Sequence, residues 1–410
     1  MATALNNDQT RALAALESEE NVFLTGGAGT GKSFLLTHYL NHTGVSYPVL
    51  ASTGAAAVLV GGRTFHSFFG LGILEGGPGK AVEKALGNRR VVDRLKAADG
   101  VVIDEISMIP GDALAAAESL ARRARKKNAP WGGLRIITVG DFAQLPPISR
   151  GRMGGTDWAF ESPAWDAAQF RPAVLKSIVR SKDEAFLRAL GDVREGLVTP
   201  AVQTLLRQRS GSVSPDFDGT LLYARRDAVE TENERRLAGL KGEEVALPTR
   251  YLGPARYREL IEKHAPIPGI LRLKTGALVM IRANDTDGHY VNGSLGHIVD
   301  IDDDIVEVAL KNGRTVELEP VTFDYLNDEG EKSASATNFP LSLAYATTIH
   351  KAQGMTIDSL CVDLSNLWEP GQAYVALSRV RSPEGLVVTR WAPSSIRADQ
   401  RVLEFQQALE

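Results

Sequence analysis

Residues Gly26-Gly27-Ala28-Gly29-Thr30-Gly31-Lys32-Ser33 set two glycines five positions apart, directly ahead of a lysine and a hydroxyl residue. That spacing is the pattern of a phosphate-binding loop. Upstream, Asn21-Val22-Phe23-Leu24-Thr25 reads as a short buried strand, and downstream Phe34-Leu35-Leu36 and Tyr39-Leu40 recur at helical spacing. Strand, glycine loop and helix then stand in the order that turns backbone N–H groups and a helix N-terminus toward phosphate oxygens. In this reading Gly27, Ala28, Gly29, Thr30 and Gly31 form the cradle. Lys32 reaches the β- and γ-phosphates of a nucleoside triphosphate, and the Ser33 hydroxyl helps to hold Mg²⁺.

A chain of 410 residues is too long for one ordinary core. Hydrophobic residues make up 43% and charged residues 23%, the balance of a soluble globular protein. The sequence holds no apolar run long enough to span a membrane and opens without a signal-peptide core, so a cytoplasmic protein is expected. The single cysteine, Cys361, excludes an internal disulfide framework and lies in an apolar stretch that suits a buried thiol. A net charge of −4 does not advertise a polyanion ligand, so any such site must be a local groove.

Strand and helix patterns alternate along the first 170 residues. Tyr47-Pro48-Val49-Leu50-Ala51 leads into the small-residue turn Ser52-Thr53-Gly54-Ala55-Ala56-Ala57, and Val101-Val102-Ile103 ends on Asp104-Glu105. Leu134-Arg135-Ile136-Ile137-Thr138-Val139 ends on Gly140-Asp141. Such repetition predicts a parallel sheet with helices on both faces and active residues at the strand C-termini. Asp104 and Glu105 can give one carboxylate to Mg²⁺ and another to orient the attacking water. Gln144 is placed to sense the γ-phosphate, while Phe142 and the prolines through Pro147 make a ridge for another ligand. The basic run from Arg122 to Lys127 reads as a solvated helix end.

The expected division is a first α/β domain at 1–65 and 91–170, interrupted by a small insertion at 66–90. A second α/β domain spans 171–270 and 336–410. Short strands at 271–335, two of them joined by the hairpin signal Asn312-Gly313, predict an inserted antiparallel β-barrel. Arg379 falls in an apolar stretch where an unpaired charge would be costly, and a role completing the nucleotide site from the second domain would explain it.

Taken together, these motifs resemble those of DNA helicases of superfamily 1, group B, of the Pif (petite integration frequency) type. The resemblance runs in order through Leu5-Asn6-Asn7-Asp8-Gln9, the glycine loop, the Ser52–Ala57 turn, Gly62-Arg63-Thr64-Phe65-His66-Ser67-Phe68 and Asp104-Glu105-Ile106-Ser107-Met108. It continues through Trp131-Gly132-Gly133, Gly140 to Pro147, Val291-Asn292-Gly293, Thr348 to Gly354 and the segment around Arg379. It implies two RecA-like domains, ATP and Mg²⁺ between them, a wedge at 66–90 and an SH3-like barrel over the DNA path. By the same resemblance Gln9 reads adenine and Gly354 approaches the nucleotide. Arg180 and Arg379 act as arginine fingers from the second domain, although the family has Arg-Gln where this chain has Arg180-Ser181. Thr53, Gly54, His66, Phe68, Phe142, Pro147, Asn292, Thr348, His350 and Lys351 are the implied DNA-facing set. The implied activity is DNA-stimulated ATP hydrolysis driving 5′→3′ movement on single-stranded DNA and unwinding of tailed or forked duplex, in replication, repair or recombination. A monomeric minimal core is expected, with G-quadruplexes and RNA–DNA hybrids as further substrates. A DNA-stimulated ATPase that displaces proteins without processive unwinding is the alternative. A P-loop switch protein or nucleotide kinase would leave the second α/β half and Arg379 without a purpose.

Overall fold

A computed structural model describes residues 5–59, 62–72, 74, 76–147, 156–214, 217–285, 289–290, 292–327 and 331–409. The chain divides into two units: Met1–Arg180 with Leu326–Glu331 and Asp399–Glu410, and Ser181–Tyr325 with Lys332–Ala398. Among the described residues no helix is long and apolar enough to cross a membrane.

The first unit is built on six parallel strands, β1 (Val22–Gly26), β2 (Val49–Ala51), β3 (Arg63–Thr64), β4 (Gly100–Ile103), β5 (Arg135–Gly140) and β6 (Arg171–Leu175), in the order β3-β2-β4-β5-β1-β6. Strand β1 is buried along its whole length, as a central parallel strand must be. Helices α1 (Asn7–Leu16) and α2 (Lys32–His42) cover one face with Leu16, Leu35, Leu36 and Tyr39. Helix α3 (Gly54–Leu59) follows β2, and the other face carries α4 (Phe65–Phe68), α5 (Pro78–Leu86), α6 (Arg89–Ala97), α7 (Gly111–Arg125) and α8 (Pro163–Ala168) around a larger core. Two corrections to the sequence reading arise here. Strand β6 pairs with β1 from Val22↔Arg171 to Gly26↔Leu175, so it closes the first sheet and does not open the second domain. The segment expected as a small insertion at 66–90 is continuous with the core: Phe68, Phe69, Leu71, Ala81, Val82 and Ala85 all join it.

An aromatic cluster organises the second face. The Phe142 ring lies 5.6 Å from Phe23, 5.9 Å from Trp158, 5.5 Å from Trp165 and 5.5 Å from Phe405, mostly edge to face. Phe405 belongs to the C-terminal helix Gln400–Gln407, which is thereby part of the first unit. Asp399 fixes that return, accepting from Trp158 Nε1 at 3.0 Å and from Arg401, which also pairs with Glu161 at 2.9 Å. Phe142 is 2% exposed, which corrects its expected place facing DNA. Phe142→Ala is expected to destabilise the first unit by about 3–5 kcal/mol. Denaturant unfolding followed by tryptophan fluorescence would show it, and an unchanged midpoint would contradict this placement.

Arg125 supplies a further correction. Although it ends α7, it is half-buried and bonded inward: it donates to the carbonyls of Gly132 at 2.8 Å, Leu95 at 2.6 Å and Ala98 at 2.7 Å. Arg123 pairs with Glu83 at the surface, as an exposed helix end would.

The second unit starts with α9 (Glu184–Arg194), capped by the Asp183 side chain, and α10 (Pro200–Arg209), capped by Thr199. Strand β7 (Thr220–Tyr223) and α11 (Arg226–Ala238) follow. The chain then turns antiparallel with β8 (Val245–Pro248) and β9 (Arg250–Leu252), and continues through α12 (Ala255–His264) to β10 (Ile270–Leu273) and β11 (Leu278–Ile281). Next come β12 (Leu295–Ile301), β13 (Val306–Leu310), β14 (Thr315–Leu318), β15 (Val321–Leu326), β16 (Lys332–Asn338) and β17 (Leu341–Leu343). These make sheets of order β10-β8, β14-β13-β12-β11-β17 and β15-β16-β9. The antiparallel region thus runs from Val245 to Leu343, wider than the expected 271–335. Gly313, at a φ of 87°, turns β13 into β14. Parallel order resumes with β18 (Ala346–Thr348), α13 (Ile349–Ala352), β19 (Leu360–Leu364), α14 (Gln372–Leu377) and β20 (Leu386–Trp391), giving a sheet of order β18-β7-β19-β20. Cys361 sits inside β19, where burial pushes its thiol up to about 11.

Candidate functional site

The glycine loop joins β1 to α2 at the C-terminal edge of the first sheet. Gly31 caps α2 at a φ of 91°, and a Cβ there would lie 2.7 Å from Gln9 Nε2. Gly29, at a φ of 79°, would bring a Cβ within 2.6 Å of the Arg180 Cβ. Both positions therefore need glycine for conformation and for space. Thr30 Oγ1 donates to the Gly27 carbonyl at 2.9 Å and closes the turn. Lys32 Nζ donates to the carbonyls of Gly26 at 2.8 Å and Gly27 at 3.1 Å, which lays the ammonium across the loop. Ser33 stands exposed in the first turn of α2.

Two neighbours hold this loop. Gln9 is 5% exposed; its Oε1 accepts from Asn6 N–H at 3.1 Å in a capping box, and its Nε2 points at Thr30 O from 3.5 Å. The second is the stretch after β6, where Val179 and Arg180 N–H donate to Gly29 O at 2.9 and 3.2 Å. Arg180 is therefore part of the first unit and stands on the loop itself, which corrects its expected origin in the second domain. Asp8, which the sequence reading passed over, ties the same stretch down. It accepts from Lys176 N–H, Ser177 N–H and the Ser177 hydroxyl at 3.2, 3.0 and 2.8 Å, and the Ser177 hydroxyl with Arg11 lowers its carboxyl to about 2.

Strand β4 delivers Asp104 and Glu105 to the same edge of the sheet. Glu105 has a φ of 50°, a strained left-handed backbone that costs roughly 1–3 kcal/mol and recurs where function requires it. Its N–H donates to Asp104 Oδ1 at 2.9 Å. Withdrawal from water, and then the charge of Glu105, push the Asp104 carboxyl up to about 7, with Lys32 opposing. A carboxylate so disfavoured fits a divalent cation, and with the Ser33 hydroxyl it offers the hard oxygen donors that Mg²⁺ takes. Among the described residues no three His, Cys, Asp or Glu gather as a metal cage. Mg²⁺ commonly uses one or two protein ligands with substrate phosphates and water, so the donor set still fits. Gln144 follows β5; it is 6% exposed, its N–H on Asp141 O at 3.0 Å.

In the second unit Arg379 is 1% exposed and already oriented. Nε donates to Val375 O at 2.7 Å, one terminal nitrogen to Ser378 Oγ at 2.7 Å, and the other to Met355 O at 3.4 Å. Gly354, at a φ of 77°, makes the exposed turn before Met355. Thr348 is buried, its hydroxyl accepting from Lys351 N–H at 3.1 Å as the cap of α13, which corrects its expected place facing DNA. His350 is half-buried with Nε2 3.5 Å from Glu369, and withdrawal from water lowers its pKa. Lys351 is exposed, and Asn292 donates its N–H to Asn284 Oδ1 at 2.8 Å.

Within the first unit the expected DNA-facing residues split into two groups. Thr53 caps α3 through Ala56 N–H, Gly54 opens that helix, and His66 lies edge-on to Phe65; all three are half-buried. Phe68 is buried beneath Arg94, whose guanidinium lies 5.1 Å above its ring, and Pro147 is buried as well. These two are corrected with Phe142. An aromatic side chain at a strand end or on a short helix gains more from the core than from water, and the sequence does not show which core is near.

A lysine-bearing glycine loop beside an acidic pair, at the C-terminal edge of a parallel sheet, defines a P-loop nucleoside triphosphatase of the RecA-like α/β type. Comparison with known proteins narrows the class. A family model described as PIF1-like helicase matches residues 4–195. The chain is 48% identical over 407 residues to ATP-dependent DNA helicase Pif1 of Bdellovibrio bacteriovorus, covering 99% of this chain and 92% of that protein. It superposes on Bacteroides sp. Pif1 in complex with ADP-AlF4 with a TM-score of 0.86 at 29% identity, covering 99% of this chain and 97% of that one. Bacteroides Pif1 bound to single-stranded DNA matches over the same shares with a TM-score of 0.69. The chain belongs to the PIF1-like helicase family.

Proposed function

We propose that this ATP-dependent DNA helicase moves 5′→3′ along single-stranded DNA and unwinds tailed or forked duplex. The observation that carries the reading is the joint placement of Lys32, Asp104 and Glu105 at one edge of the first sheet. The relatives that hold ADP-AlF4 and single-stranded DNA support it. In this scheme the loop N–H groups and Lys32 bind the β- and γ-phosphates of ATP, and Gln9 reads the base. Glu105 orients the attacking water, Gln144 senses the γ-phosphate, and Arg180 and Arg379 stabilise the charge that develops on it. Ser33 and Asp104 would hold Mg²⁺, which would supply charge neutralisation at the phosphates. A ligand moves a conformational equilibrium only through differential contacts, and the γ-phosphate is the contact that hydrolysis removes.

Thr53, Gly54, His66, Asn292, His350 and Lys351 make the DNA-facing set, through backbone and polar contacts more than through stacked rings. The helical segment around 66–90 acts as the strand-separating wedge, and the antiparallel sheets, folded as an SH3-like barrel, cover the DNA path. G-quadruplexes and RNA–DNA hybrids are further substrates, handled by a monomer. Strand separation on duplexes carrying either a 5′ or a 3′ single-stranded tail tests the scheme. Activity confined to the 5′ tail is expected; equal rates on both would overturn the polarity, and no unwinding of either would overturn the helicase cycle.

A further inference from the structure

Arg282 follows β11 directly and is 8% exposed. One terminal nitrogen lies 3.1 Å from Met280 Sδ and 4.0 Å from Met355 Sδ, while Nε has no hydrogen-bond partner among the described residues. Among the described residues no carboxylate pairs with it, and burial alone pulls its guanidinium down to about 10. A thioether is a weak acceptor, whereas a guanidinium presents five donors. Burying such a charge without an anion is costly unless a partner arrives.

The surroundings suit a phosphate. Lys351 lies on α13, just ahead of the Met355 that meets Arg282, and partial withdrawal from water with the charges of Arg226 and Arg282 lowers its ammonium pKa, Glu230 opposing. Asn292 Oδ1 is likewise buried without a partner among the described residues. Gly293 backs onto Met355, its Cβ position 3.7 Å from the Met355 Cβ, so this loop, Arg282 and the turn after α13 meet at one place in the second unit. Resting on the helicase reading, we propose that Arg282, with Lys351, binds one phosphodiester of the single-stranded DNA track, the anion entering against a guanidinium that no carboxylate among the described residues matches. Because Arg282 is already desolvated, a phosphate meets it at greater strength than it meets an exposed lysine.

The test uses the full chain, a fluorescein-labelled oligothymidylate and anisotropy over a range of salt. Arg282→Met should bind about tenfold more weakly or worse. Its log affinity against log salt should be shallower by about 0.7, the share of one phosphate on a single strand. Its melting temperature should be equal or higher, since an unpaired buried charge has been exchanged for an apolar side chain of similar length. Arg314→Met, on the exposed β13–β14 turn, removes the same charge and should change neither affinity nor slope. Should Arg282→Met fold poorly, Arg282→Lys carries the test: it keeps the charge, loses the fork, and should bind with intermediate affinity and an unchanged slope. Wild-type affinity and slope in Arg282→Met, or wild-type affinity in Arg282→Lys, would overturn the assignment while leaving the helicase reading intact. Failure of the unmodified protein to bind the oligonucleotide would instead overturn that reading, and the assignment with it.

Discussion

Replacing Lys32 with methionine is expected to lower DNA-stimulated ATP turnover by about a hundred- to a thousandfold. The ammonium lies across the glycine loop on the carbonyls of Gly26 and Gly27, so it can pass to phosphate oxygens without rebuilding the loop. Methionine keeps the length of the stem and removes only the charge and its donors. The two carbonyl bonds contribute about 1 kcal/mol each at most, so the fold should persist and the loss should fall on chemistry. Phosphate release with and without oligothymidylate, beside a melting curve, separates the two effects. Turnover within tenfold of the unmodified protein would remove Lys32 from the site.

Arg379 should show the opposite balance. Its alanine variant takes donors from Val375 O, Met355 O and Ser378 Oγ inside a closed core, and we expect about 3 kcal/mol of lost stability in the second unit. Arg379→Lys is the more informative change. It keeps the charge and most of the volume but lacks the planar fork, so the unit should stay folded. If Arg379 meets the γ-phosphate as an arginine finger, turnover in this variant should fall by about a thousandfold while affinity for a fluorescent ATP analogue changes little. Normal turnover would assign Arg379 to structure alone.

What could be read before the structure was what local chemistry demands. A loop that wraps a phosphate needs glycines and a lysine at set intervals, so Gly26 to Ser33 declare themselves. An Asn-Gly pair between alternating runs allows little but a hairpin, and Asn312-Gly313 is one. Asp104-Glu105 at the end of Val101-Val102-Ile103 followed from the rule that parallel sheets carry chemistry at strand C-termini. Long-range choices were not readable in the same way. Ala173-Val174-Leu175 announces a buried strand but not a sheet, and the free edge beside β1 decided that β6 joins the first unit. Phe142 announces an apolar surface but not its partner, and Phe405, from the far end of the chain, supplied one. Arg125 looked like a helix-end charge until three carbonyls were found around it.

The sequence alone therefore pointed to a nucleotide phosphate loop, because such a loop is carried by a few residues next to one another in the chain. Tertiary structure decided which side chains are available to anything else. Arg180 stands on the glycine loop, Asp8 ties down the stretch that carries it, and Phe68, Phe142 and Pro147 are withdrawn into a core. Arg282 is left buried with two sulfur atoms for company. Availability depends on what packs from elsewhere in the chain, and a local pattern of residue types carries no record of that.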